Sequence, residues 1–171
     1  MVRIYSPTSR NTAIIALAAA ASVAASMAGY YAAEAEKYYH LTDSALTTAV
    51  RFEHQADLKE RNDEELLIQA TIEYQENKTQ TGDLLADQVS QEAKDNMEFD
   101  NQSRMFSLTP KYYDVLYSDY FSSVKAEHDY LDRAEKSDEY SRLSIIATSL
   151  LTATVVIFSE LSRKKENRSS T

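Results

Sequence analysis

Two uncharged stretches, one near each end, constrain this chain more than any other feature. Residues 12–33 hold no charge over 22 positions, and residues 143–159 hold none over 17, with Leu161 continuing the second past Glu160. About 20 apolar residues span a bilayer as a helix. The second stretch contains Leu143, Ile145, Ile146, Leu150, Leu151, Val155, Val156, Ile157, Phe158 and Leu161. At the insertion values of such residues, these favour the membrane by about 3–6 kcal/mol before polar costs. The first has only Ile14, Ile15, Leu17 and Val23 in that class, worth about 1–2 kcal/mol. Its rival reading is a cleaved signal peptide, with Arg3 and Arg10 as the basic region and Ser26-Met27-Ala28 as the cleavage site. The uncharged run continues through Gly29, Tyr30, Tyr31, Ala32 and Ala33. It is longer than an ordinary signal core, and the two tyrosines suit an interfacial belt, so a retained span is expected.

The expected layout is therefore a cytoplasmic N-tail over residues 1–11 and a transmembrane helix over 12–33. An acidic helical extramembrane domain follows over 34–142, then a second transmembrane helix over 143–161 and a basic cytoplasmic C-tail over 162–171. Orientation follows from Arg3 and Arg10 before the first span and Arg163, Lys164, Lys165 and Arg168 after the second. Positive charge near spans stays inside, which sends residues 34–142 to the extracytoplasmic side of the cell membrane.

The spans are expected to pack on each other. Ala21, Ala25 and Gly29 form a small-residue stripe at four-residue spacing, and Thr148 and Thr152 stand among several hydroxyls on the second span. Small residues permit close backbone approach, and hydroxyls can bond across helices.

The middle section is acidic and helical. Residues 34–142 carry 25 acidic and 12 basic groups, a net of −13. That balance repels phosphate backbones and disfavours nucleic acid as a partner. Glycine occurs only at 29 and 82 and proline only at 7 and 110, too few breakers for a protein built on sheets and turns. The fold class expected is all-α: two transmembrane helices bracketing a helical bundle or a long coiled-coil-like hairpin.

Four helical stretches are read between the spans. The first continues from the membrane to about Arg61. The second starts at Asn62, a capping residue followed by Asp63, Glu64 and Glu65 in the positions that suit a helix start. The third runs from about Asp83 through Met97 and Met105 to Leu108. The fourth starts at Thr109-Pro110, a cap and first-turn proline, and continues into the second span. Only the Asn62 cap argues for the first break, and a single long helix to Asn77 is the alternative. Along the fourth stretch Tyr113, Tyr117, Tyr120, Val124, Glu127, Leu131, Ala134 and Asp138 alternate steps of four and three, a coiled-coil seam with polar interruptions. Tyr113, Tyr117, Tyr120, Val124 and Leu131 are the candidate interaction surface.

Catalytic and metal motifs are missing from the sequence. With no cysteine there is no thiolate metal site and no thiol nucleophile. The residues three before His40, His54 and His128 are Lys37, Arg51 and Lys125, which rules out the Glu-x-x-His pairs of di-iron bundles. Nucleophile elbows and phosphate-cradling loops are also missing. No cofactor is expected, and the protein reads as non-enzymatic. Asn77-Lys78-Thr79 and Asn101-Gln102-Ser103 match the glycosylation acceptor pattern.

The segments Ala32-Ala33-Glu34-Ala35-Glu36 and His128-Asp129-Tyr130-Leu131-Asp132-Arg133-Ala134-Glu135 resemble a domain-of-unknown-function family of small prokaryotic membrane proteins. Those have an Ala-rich N-terminal span, an acidic helical middle and a C-terminal membrane region. The family tends to carry a Trp after the first span and an extra C-terminal span, whereas this chain has no Trp and one C-terminal span. The resemblance implies a membrane location and brings no activity. The expected role is a membrane-anchored protein whose helical domain mediates interaction or assembly. Its partners would be the lipid bilayer and another membrane protein, or a second copy in a homo-oligomer. The alternative is a four-helix-bundle sensory ectodomain that lacks its own output module. A transporter fits poorly, because the spans hold no charge before Glu160 and ion pathways usually do.

Overall fold

A computed structural model describes residues 7–169, with side chains described for 11–164. Arg3 lies outside the described residues, as do the side chains of Arg10, Lys165 and Arg168. The elements are α1 (Pro7–Gln75), α2 (Thr79–Ala86), α3 (Gln91–Asn96), β1 (Met97–Asp100), β2 (Met105–Leu108), α4 (Pro110–Leu116) and α5 (Ser118–Ser169). The protein is mainly helical, and α1 and α5 dominate it. By length and hydropathy both could cross a membrane.

Three sequence expectations are corrected. First, α1 passes through Asn62 without a break, so the four-helix bundle on which the sensory reading rests is not formed here. The carboxylates at 63–65 do not mark a helix start; Asp63 is buried and holds other elements instead. Second, the expected third helix is two short helices and a β-ribbon. β1 and β2 pair antiparallel, with Phe99 opposite Phe106. Met-Glu-Phe-Asp alternates apolar and polar with period two, and its burial alternates with it, which is strand patterning rather than helical. Third, the fourth stretch is interrupted at Tyr117, between α4 and α5.

Local chemistry accounts for the ends. α1 stops where Asn77 takes a left-handed φ of 62°. The Lys78 N–H then bonds back to the Glu73 carbonyl, the closure that terminates many helices. α4 starts at Pro110, as the first-turn proline predicts, although the Thr109 side chain before it makes no capping hydrogen bond. At the ribbon turn Asp100 accepts from the Gln102 N–H and the Ser103 hydroxyl.

The chain divides into two compact units, one of Met1–His40 with Tyr130–Thr171, the other of Leu41–Asp129. The second has a conventional core of Leu67, Val89, Ala93 and Tyr112, with Met97, Phe106 and Leu108 packed against it. Burying side chains such as Leu67 and Val89 contributes about 1.5–3 kcal/mol each. Gly82 allows a close approach: a Cβ there would meet the Tyr74 ring and lie 3.1 Å from the Ala70 carbonyl.

The first unit is two antiparallel helix segments. Ser141 donates to the Ala28 carbonyl at 3.1 Å, Tyr31 packs on Tyr140, and Tyr38 stacks on Tyr130 with centroids 6.4 Å apart. As one residue number rises the other falls, which fixes the direction.

Candidate functional site

The side chains with the strongest structural demands lie in the unit of Leu41–Asp129. They gather at Asp63, on that part of α1 and fully buried. A buried carboxylate is costly unless donors surround it. Here the Ser90 N–H donates at 2.8 Å, the Ser90 hydroxyl at 2.5 Å and the Tyr112 hydroxyl at 2.9 Å. Ser90 is also the N-cap of α3, its hydroxyl oxygen accepting from the Ala93 N–H at 3.2 Å. One carboxylate thus ties α3 and α4 to α1. Lys59 adds an ion pair to Glu92 at 2.7 Å, which with its hydrogen bonding lowers the Glu92 pKa.

A row of tyrosines faces a row of carboxylates beside this junction. The Tyr113 hydroxyl lies 3.5 Å from Glu64, at the limit of hydrogen bonding. The Tyr117 hydroxyl lies 2.6 Å from Asp57 and 2.5 Å from Glu60. Burial first, and then the Asp63 bond, raises the Tyr112 pKa far above its ordinary 10.0. Burial and then the bonds to Asp57 and Glu60 raise Tyr117 as well. A raised folded-state pKa gives stability that is complete below the unfolded pKa and lost above it. Unfolding stability is therefore expected to fall above about pH 10, with a slope near 1.4 kcal/mol per pH unit from Tyr112 alone. Denaturant midpoints measured from pH 9 to 11 check this: Tyr112→Phe should flatten the dependence.

An apolar groove of about 420 Å3 opens between α1 and β2, with Leu67, Ile68, Ile72, Met105, Phe106 and Tyr113 among its walls. Among its described lining residues Glu64 alone is charged. The Phe106 N–H donates to the Thr71 hydroxyl at 3.1 Å, which seats the ribbon on α1. Tyr74, Phe99 and Phe106 form an aromatic cluster at its end, with centroids 4.6–5.5 Å apart.

In the other unit, the helix pair uses small residues at alternating steps of three and four. Ala21, Ala24, Ala28, Tyr31, Ala35 and Tyr38 are covered on α1, and Tyr130, Ala134, Ser137, Ser141, Ser144 and Thr148 on α5. That is a 3.5-residue period, the seam of a left-handed helix pair. Of the residues nominated from sequence, Ala21 and Thr148 are in this seam, whereas Ala25, Gly29 and Thr152 face outward. Nothing lies within 4 Å of where a Gly29 Cβ would be. A strict four-residue step overshoots the 3.6-residue turn and drifts round the helix, so the stripe leaves the contact. The hydroxyls mostly bond their own helix, Thr148 to Ser144 and Thr154 to Leu150, each at 2.8 Å.

The structure separates the candidate interaction residues. Tyr113 and Tyr117 approach α1 carboxylates, Tyr120 and Leu131 are half-buried, and Val124 is exposed. Sequence reasoning missed Asp63, Ser90 and Tyr112 as a set. Their partners are 27 and 49 residues apart, beyond any local pattern. Among the described residues no three His, Asp or Glu side chains gather as a metal site would require. No family model matches the chain, and neither a curated protein nor a solved structure is found to be similar to it.

Proposed function

We propose that this is a two-span, non-enzymatic protein of the cell membrane that works by binding another protein. Both termini are cytoplasmic, and the acidic helical section 34–142 lies on the far side. One observation carries the membrane part: the apolar windows of α1 and α5 are almost wholly uncovered. Leu150 is 65% exposed, Leu161 60% and Ile15 69%. A water-soluble core would bury such residues, whereas lipid accepts them. Hydroxyls satisfied by their own backbone, as at Ser22, Ser26 and Ser149, suit a medium without water.

The interaction part rests on apolar surface in the acidic section. Ile68 and Ile72 on α1, Met105 on β2, and Phe121 and Val124 on α5 are exposed. Purified in mild detergent from its own membranes, the chain is expected to bring a second protein with it in a fixed ratio. Recovery as a monomer alone would remove the interaction reading.

A further inference from the structure

The groove between α1 and β2 is walled mainly by apolar side chains, with Glu64 as its one charged lining residue among those described. Its floor is covered, but its rim is not: Ile68 is 61% exposed, Ile72 48% and Met105 49%. From Glu64 to Ile72 the α1 wall is roughly 12 Å long, which matches two turns of a helix laid beside it. Recognition of a helix in a groove uses apolar anchors at i, i+3 or i+4, and i+7.

Charge selects among possible occupants. The unit Leu41–Asp129 carries 19 acidic and 8 basic groups, a net of −11. A second copy would bring the same charge to the same surface, and like charges brought together oppose docking. A basic segment meets the opposite field. Glu64, on the groove wall, and Glu65, next to it in sequence, are exposed, where they can receive Lys or Arg flanking an apolar stripe.

We propose that this groove docks a basic amphipathic helix of a partner protein, its apolar side on Ile68, Ile72, Met105 and Tyr113 and its cations at Glu64 and Glu65. The inference rests on the interaction reading above and names the partner's chemistry.

The test is photocrosslinking of the full chain in its own membranes. The photoreactive amino acid p-benzoylphenylalanine is installed at position 68, at position 72, or at Val50, which is exposed on α1 outside the groove. Positions 68 and 72 are expected to give one adduct, and position 50 none. Fragment mass spectrometry should place the crosslink in a Lys/Arg-flanked apolar helix of another protein. Glu64→Lys should lower the adduct yield about fivefold, in line with reversal of a rim charge. The proposal is overturned by a crosslink to a second copy, to residues 162–171 of this chain, to lipid, or to an acidic or uncharged segment. It is also overturned if no adduct forms. If a partner still co-purifies in those cases, the interaction reading stands and only the groove assignment falls.

Discussion

Replacing Asp63 with alanine is expected to destabilise the unit of Leu41–Asp129 by about 3–5 kcal/mol, because hydrogen bonds to a charged acceptor are worth about 1.5–3 kcal/mol each and buried donors left unpaired add a penalty. Three donors meet on that carboxylate, two from Ser90 and one from Tyr112. Tyr112 is fully buried, so its hydroxyl has no ready access to water once Asp63 is gone. The Ser90 cap of α3 would lose its anchor to α1 at the same time. Asp63→Asn should be milder, about 1–2 kcal/mol, because the amide keeps one acceptor and both hydroxyl partners can rotate to accept. Urea unfolding monitored by tyrosine fluorescence measures both. Equal, small losses for the two variants would show that the junction is not held through Asp63.

The second large effect concerns the register of the helix pair. Ala28→Leu is expected to cost about 1–3 kcal/mol through overpacking, since Ala28 is buried and its carbonyl receives the Ser141 hydroxyl. Gly29→Leu, one residue along, should cost nothing through contact, because its Cβ direction is open. It should even help the helix slightly, as glycine is about 1 kcal/mol worse than alanine there. Thermal unfolding in detergent, followed by circular dichroism, separates the two. The reverse order of effects would put the Ala25–Gly29 side into the contact instead.

These two experiments touch places where the sequence was easy and hard to read. The scarcity of glycine and proline made the helical class legible, and Thr109-Pro110 marked the start of α4. The break expected at Asn62 does not form: Asp63-Glu64-Glu65 imitates a helix start, while the groups that use Asp63 are distant in sequence. The ribbon was misread because Met97 and Met105, eight apart, also fit one helix face. The two-residue alternation from Met97 to Asp100 was the better signal. The seam was hidden by excess: an Ala-rich span offers several small-residue stripes at once. The deciding information lay on the partner segment, where Ala134, Ser137, Ser141, Ser144 and Thr148 alternate steps of three and four, and in the seven-residue recurrence of Ala21, Ala28 and Ala35. The groove was not legible at all, because it forms only when the ribbon closes on α1.

In the proposed topology two helices cross the membrane and hold residues 34–142 on the far side from both ends. The absence of cysteine permits a direct measurement. Ser9→Cys, Thr79→Cys and Ser169→Cys variants are made singly, and intact cells are treated with a thiol reagent that cannot cross the membrane. Thr79, exposed at the start of α2, should react, and positions 9 and 169 should react only after the cells are opened. Labelling of 9 and 169 in intact cells with protection of 79 would invert the orientation. Loss of roughly the first 28 residues from the mature protein, read by intact mass, would replace the first span with a cleaved signal peptide. Recovery of the chain in the soluble fraction would contradict the account outright.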